Sequence, residues 1–140
     1  MNADPEIHDA DLIAAFERSV LPSHAWNHRA HVRVAYIYAR QHGLEAALAR
    51  MRIGINALNT AHRVPQAVDR GYHETITVAF MRLIVSACRQ QPFRSSAEFC
   101  EAHPELMTKS ALLVHYSRER LMSLAAKITF VEPDLKPLPD

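Results

Sequence analysis

The chain has 140 residues, of which 49% are hydrophobic and 22% charged, so it is long enough for one domain with one hydrophobic core. Its formal net charge of +1 argues against binding to nucleic acid or to an anionic membrane surface. No apolar stretch approaches the roughly 20 residues of a membrane span, the acidic amino terminus has no signal-peptide pattern, and two cysteines cannot form a disulfide framework. These features predict a cytoplasmic protein with neither a nucleic acid nor a membrane as its partner.

The composition favours helices along the whole chain. Glycine occurs only 3 times and alanine 21 times in the sequence. Alanine is the strongest helix former, whereas glycine is among the weakest. We therefore predict an all-α fold, with residues 1–140 forming a single-domain bundle of four to six helices. Within it, we expect residues 1–8 to be flexible and residues 129–140 to form an extended, proline-rich tail.

Hydrophobic spacing and capping residues predict three helices in the first half of the chain. The first is short, covers residues 11–20 and is capped by Asp9 or Asp11. The second runs from about residue 24 to residue 41 and stops near a glycine, which accepts the left-handed conformation that ends many helices. The third covers residues 44–61, where apolar residues recur every three or four positions.

The second half of the chain begins with a loop and a long apolar helix. Residues 62–72 contain a proline and a glycine and lack periodicity, so we expect a loop that borders a functional site. Residues 72–90 have a middle that is apolar nearly all round with Arg82 as its one charge, which is typical of a central, buried helix. Ser95 and Glu98 have the spacing of a capping box, which predicts a further short helix.

The last part of the chain predicts shorter elements. Residues 104–123 are expected to form one or two short helices after a proline break. Pro133, Pro137 and Pro139 stiffen the tail, and its apolar residues give it groups to bury. We therefore expect residues 129–140 to lie across the bundle in an extended conformation.

Histidines occupy positions from which several of them can meet. His28 and His31 are three residues apart on the predicted second helix, so their side chains share a face with about 5–6 Å between Cβ atoms. His24, four residues before His28, extends the same stripe. His73 lies at the start of the apolar fourth helix on a stripe that faces the core, and Glu74 begins the neighbouring stripe. Burying the charged carboxylate of Glu74 is costly unless it is paired, bound to a metal or protonated, and the same holds more weakly for the imidazoles.

A bound metal ion would explain why these residues are predicted to lie together. His28, His31 and His73 would hold it. Glu74 would act as a base, as a fourth ligand or through a hydrogen bond to a ligand. Three protein ligands with one open position are typical of a catalytic zinc site, and imidazole also binds nickel, iron and copper. The first hypothesis is therefore a metal-dependent enzyme, a hydrolase or transferase that acts on a small molecule, with zinc as the preferred cofactor.

Two other classes of function stay open. In the first, the protein is a small-molecule binding or sensing module whose histidines hydrogen-bond the ligand. In the second, it is a structural helical interaction protein without catalysis, in which the histidines only support the fold. Trp26 and Tyr72 stand beside the histidines, where they either pack in the core or form a wall of a pocket. The spacing decides neither the role of His115 nor whether two chains form a homodimer.

Three segments resemble a family of small bacterial helical proteins. They are WNHRAHVRVAYIYAR (26–40), GYHETIT (71–77) and FVEPDLKPLP (130–139), and with the helices between them they span most of the chain from Trp26 onward. The resemblance implies a helical domain and fixes no reaction. A looser similarity of architecture connects the chain with DinB-like four-helix proteins, and it implies three histidines around a divalent metal.

Overall fold

Three long helices form the centre of the molecule. The computed structural model describes residues 6–67 and 69–139, in which the α-helices are α1 (Asp9–Glu17), α2 (His28–His42), α3 (Leu44–Ala61), α4 (Glu74–Gln90), α5 (Ser96–Ala102), α6 (Arg118–Leu121) and α7 (Leu124–Ile128). Short 3₁₀ turns are found at Ser23–Ala25, Pro104–Met107 and Lys109–Val114. The described residues contain no β-strand and one isolated bridge, and the prediction of an all-α single domain is confirmed. Within those residues, no helix has the length and apolar character needed to cross a membrane.

Helix α2 is the most enclosed element. It packs against α1, α3, α4 and α5, and residues 32–38 are all buried. The Tyr36 ring stacks on Phe99 of α5 with 4.3 Å between ring centroids. The Tyr38 hydroxyl donates a hydrogen bond to the Glu17 carboxylate of α1 at 2.7 Å. Because its neighbours hold α2 on every side, they also fix the position of its first turn.

A close approach between α1 and α3 positions one side of this first turn. Gly54 in α3 leaves room for the buried ring of Phe16, and a Cβ at position 54 would overlap that ring. The Phe16 ring stacks on Trp26 with 5.1 Å between centroids, and Trp26 in turn stacks on His31 at 5.3 Å. Aromatic contacts therefore lead from the α1–α3 interface to the beginning of α2.

The start of α1 differs from the prediction. Its N-cap is His8, which makes no capping hydrogen bond with its side chain, so the expectation that Asp9 or Asp11 caps the helix is wrong. The Asp9 carboxylate instead accepts hydrogen bonds from the Ser96 backbone N–H (2.9 Å) and from the Arg33 guanidinium (3.1 Å). Arg33 is only 4% exposed, and a buried cation of this kind needs a carboxylate partner.

The sequence predicts that the segment 1–8 is flexible, and residues 1–5 of it lie outside the described residues. The Glu6 carboxylate accepts a hydrogen bond from the Arg29 guanidinium at 2.7 Å. The Ile7 carbonyl accepts one from Arg33 at 2.6 Å. These contacts attach the described end of the segment to α2.

Helix α2 begins later than predicted because an asparagine caps it. The Asn27 Oδ1 accepts a hydrogen bond from the Ala30 backbone N–H at 2.8 Å, and the helix starts at His28. The predicted start near residue 24 is wrong. His24 lies in a separate 3₁₀ turn and does not share the helical stripe of His28 and His31.

Two other caps explain helix boundaries further along the chain. Helix α4 begins at Glu74, two residues later than predicted, because His73 is its N-cap. The Ser95 hydroxyl accepts a hydrogen bond from the Glu98 backbone N–H at 3.1 Å, which confirms the predicted cap of α5. Helix α3 has the predicted bounds.

The segment after α5 is more divided than predicted. In place of one or two helices, residues 104–123 form two 3₁₀ turns and α6, and α7 follows directly after them. The Ser117 hydroxyl accepts a hydrogen bond from the Arg120 N–H at 3.2 Å, and the Ser123 hydroxyl accepts one from the Ala126 N–H at 3.1 Å. Each serine starts a new helix that is too short to show an apolar period in the sequence.

The C-terminal tail is extended and packs against the bundle, as predicted. The Val131 carbonyl accepts a hydrogen bond from the Tyr116 hydroxyl at 2.7 Å, and its N–H donates to the Thr75 hydroxyl at 3.1 Å. The Phe130 ring lies beneath the Arg82 guanidinium, whose carbon is 5.0 Å from the ring centroid. The tail therefore covers α4 from its first turn to its middle.

Deletion of residues 129–140 is expected to lower the thermal stability of the protein. The deletion removes two hydrogen bonds to Val131, each worth about 0.5–1.5 kcal/mol, and the burial of Leu138. A chain that lacks only residues 139–140 is the control. Calorimetric unfolding of both shortened chains measures the effect, and equal midpoints for the long deletion and the full chain would contradict it.

Candidate ligand-binding site

One cavity lies beside the first turns of α2 and α4. It has a volume of about 150 Å³ and is bordered by α2, α3, α4, residues 71–73 and Lys109. Its apolar walls are formed by Val32, Ala35, Met51, Ile55, Ile76, Phe80, Met81 and Ile84. His28, His31 and His73 all line this cavity, so the structure brings together the histidines that the sequence analysis singled out.

His28 is fixed by a backbone carbonyl. Its Nε2 lies 2.9 Å from the Leu106 carbonyl oxygen, which can only accept, so Nε2 carries the hydrogen and Nδ1 is left as an acceptor. The ring also meets the Phe80 ring, with 5.0 Å between centroids. Burial lowers the pKa of His28, the bond to Leu106 opposes this, and the charge of Lys109 lowers the pKa further. His28 is therefore a neutral ring with one free acceptor.

His31 is the least engaged of the three histidines. It stacks on Trp26, and its ring centroid lies 6.4 Å from that of His28. Among the described residues neither of its ring nitrogens has a hydrogen-bond partner, and neither is sealed in the core. Burial, together with the charge of Lys109 and the charge that His28 carries when it is protonated, lowers the pKa of His31 to about 3. At neutral pH it can donate one hydrogen bond and accept another.

His73 uses both of its ring nitrogens to support the fold. Its Nε2–H donates to the Leu121 carbonyl at 2.9 Å, and its Nδ1 accepts from the Ile76 backbone N–H at 3.1 Å. Burial is the largest influence on the pKa of His73 and lowers it, so the ring is neutral. A metal bound at either nitrogen would break one of these two hydrogen bonds.

Glu74 is engaged in an ion pair beside the cavity. Its carboxylate accepts hydrogen bonds from the Arg52 guanidinium at 2.7–3.1 Å and from the Tyr72 hydroxyl at 2.6 Å. Burial raises the pKa of Glu74, but the bonds from Arg52 and Tyr72 outweigh burial and the pKa is lowered. A carboxylate with a lowered pKa is a weaker base. The predicted role of Glu74 as a general base would require these bonds to open.

Two polar residues of the cavity were missed by the sequence analysis. Lys109 begins the last 3₁₀ turn and lines the cavity, and no described residue forms a hydrogen bond or an ion pair with its ammonium group. Asn59 also lines the cavity, and its side-chain amide has no hydrogen-bond partner among the described residues. No local motif marks either residue, because each reaches the histidines only through the packing of distant segments.

The remaining histidines named in the sequence analysis lie outside the cavity. His24 is exposed in its 3₁₀ turn. His115 is buried, and its Nδ1–H donates to the Lys136 carbonyl at 3.0 Å and to the Pro137 carbonyl at 3.1 Å. His115 therefore anchors the tail.

The three cavity histidines do not form a coordination sphere in this conformation. Across residues 6–67 and 69–139, no three side chains of histidine, cysteine, aspartate or glutamate are grouped closely enough to hold one ion. The imidazole nitrogens free to bind a metal are Nδ1 of His28 and those of His31. The three-histidine site, and the zinc, nickel, iron or copper ion that it would hold, stay predictions.

The chain matches no family model, no curated protein and no solved structure. The comparisons therefore test neither the resemblance to small bacterial helical proteins nor the similarity to DinB-like proteins, and both stay predictions. Whether two chains form a homodimer stays open. Function is inferred from the cavity alone.

The burial of neutral His31 predicts a specific loss of stability in acid. In the unfolded chain a histidine has a pKa of about 6.5, whereas burial lowers the pKa of folded His31 to about 3. Between these values the unfolded chain binds a proton that the folded chain does not, so stability falls as the pH falls from about 6.5 toward 3. His31→Phe should flatten this dependence by up to about 1.4 kcal/mol per pH unit.

Urea unfolding at a series of pH values measures this slope. His24→Phe, which alters an exposed ring, is the matched control and should follow the wild-type curve. Parallel curves for His31→Phe and the wild type would show that His31 is not buried as a neutral ring.

Proposed function

We propose that this protein binds a small organic molecule in the histidine cavity. The observation that supports the proposal most directly is that His31 lines a cavity with mostly apolar walls, where its two accessible ring nitrogens have no partner among the described residues. Apolar walls with a few convergent polar groups are typical of sites that bind small organic molecules.

The surrounding groups suit such a ligand. Nδ1 of His28 can accept a hydrogen bond, and the amide of Asn59 can both donate and accept. The volume of about 150 Å³ is comparable to that of a cavity that admits benzene. A molecule with an apolar body and a few polar atoms therefore fits. We place this activity in the cytoplasm, in keeping with the unpaired thiols of Cys88 and Cys100.

Trp26 provides a built-in reporter of binding, because it is the single tryptophan, lines the cavity and stacks on His31. We expect at least one of four probes to change the Trp26 fluorescence in a saturable way. The probes are phenol, benzyl alcohol, benzamide and benzoate. Ala35→Leu adds bulk to the cavity wall and should weaken that binding at least about tenfold, which corresponds to about 1.4 kcal/mol.

Two further variants make this test decisive. Ala49→Leu makes the same substitution at an exposed position of α3 and should bind as the wild type does. Ile55→Phe fills the cavity from α3 and replaces Ala35→Leu if that variant does not fold. Binding that is absent for all four probes, or equal in wild-type and filled cavities, would contradict the proposal.

A metal-dependent enzyme is the second candidate. What favours it is that His28, His31 and His73 line a single cavity, with Glu74 adjacent to His73 in the chain. The acceptor at Nδ1 of His28 and the free nitrogens of His31 could bind a divalent ion. Full use of the predicted set would also require His73 to give up a hydrogen bond to Ile76 or Leu121.

Metal analysis of the purified protein separates the two candidates. The enzyme hypothesis predicts about one zinc, nickel, iron or copper ion per chain, lost in His28→Ala and His31→Ala and kept in His103→Ala. Binding of an organic molecule without a metal predicts no ion in any of these proteins, even after incubation with zinc and removal of the excess. A stoichiometric ion that depends on His28 would make the enzyme hypothesis the better account.

A further inference from the structure

We propose that the ligand of the histidine cavity is a small monocarboxylate whose apolar body lies inside the cavity and whose carboxylate is bound by Lys109 at the cavity mouth. This inference rests on the proposed binding function and adds the charge, the orientation and the size of the ligand. It follows from three features of the site: an unpaired cation, walls without a carboxylate, and an opening at which that cation is exposed.

Charge is the first argument. Lys109 lines the cavity, and none of the described residues that line it is an aspartate or a glutamate. The nearby Glu74 is already neutralised by Arg52. A charged ligand in a partly buried site needs an opposite charge, and Lys109 offers one to an anion, whereas no described carboxylate lining the cavity offers one to a cation.

The position of Lys109 indicates how the ligand is oriented in the cavity. Lys109 is exposed and lines both the cavity and an adjoining open groove, and Ile76 is also shared by the two spaces. Arg118 lines that groove and adds a second positive charge. An anion at this boundary keeps part of its hydration, while an apolar body gains by entering the cavity. The carboxylate therefore belongs at the mouth.

The charges of the lining residues suit a carboxylate. Lys109 is the one lysine or arginine among the described residues that line the cavity, and it also lines the groove. It therefore balances the single charge of a carboxylate whose apolar body lies inside the cavity. The cavity volume of about 150 Å³ limits the apolar body to about one six-membered ring or a short branched chain.

The test compares acids with their neutral amides. Benzoate, cyclohexanecarboxylate and 3-methylbutanoate are each titrated beside the matching amide, with Trp26 fluorescence and calorimetry as readouts. At least one acid should bind the wild type about tenfold or more tightly than its amide. Lys109→Met removes the charge at similar length and should lower the affinity for the acids to that for the matching amides. Lys109→Arg should restore it.

Lys136→Met is the matched control, because it removes the same charge from the exposed tail and should keep the preference for acids. Amides that bind as tightly as the acids, with binding still blocked by Ala35→Leu, would overturn the carboxylate inference and leave the proposed binding function intact. Binding of inorganic phosphate more tightly than any acid would also overturn it. If neither acids nor amides bind, this inference fails, and the proposed function fails with it when phenol and benzyl alcohol do not bind either.

Discussion

The site depends on the two hydrogen bonds made by the ring of His73. Its two nitrogens join the first turn of α4 to the carbonyl that ends α6, so a single side chain caps a long helix and ties it to a segment almost fifty residues away. The loop before α4 is held from the same side, because Lys127 donates a hydrogen bond to the Tyr72 carbonyl at 2.6 Å. These bonds place residues 71–73 as one wall of the cavity. As a consequence, both ring nitrogens of His73 are already hydrogen-bonded to the backbone.

The histidines of the cavity therefore divide into two kinds. His73 supports the backbone, and His28 gives one nitrogen to the Leu106 carbonyl, whereas His31 gives neither nitrogen to a described residue. A site built for a metal would present several free nitrogens to one point. A site for an organic ligand needs only a few polar groups on apolar walls, and the arrangement of these side chains supports the proposed binding of such a ligand.

The sequence predicts much of the fold, because its long helices carry periodic apolar residues. The bounds of α3 follow from spacing alone, and the Ser95–Glu98 pair marks the start of α5. The same reasoning misplaced the start of α2, since an asparagine cap competes with a helix that appears continuous from residue 24. It also predicted that Asp9 caps α1, whereas the Asp9 carboxylate accepts a hydrogen bond from Arg33, a buried residue distant in sequence.

For the site, the sequence predicts that His28, His31 and His73 lie together, and all three line one cavity, while their role as metal ligands stays a prediction. Whether an imidazole is free depends on carbonyls such as those of Leu106 and Leu121, and no sequence pattern reports which carbonyl faces a ring. The position of Lys109 was missed because no sequence pattern marks it. Its place at the cavity depends on how the 3₁₀ turns after α5 fold back onto α4.

The tautomers of the three histidines provide the most direct measurement of this account. Nitrogen-15 spectra of ring-labelled protein at neutral pH should show His28 and His73 as neutral rings with hydrogen on Nε2. Addition of benzoate should shift the ring nitrogens of His31 and leave those of His73 unchanged. A His73 ring that is charged, that carries its hydrogen on Nδ1, or that responds to the ligand as strongly as His31 does would contradict the division between a supporting and a binding histidine.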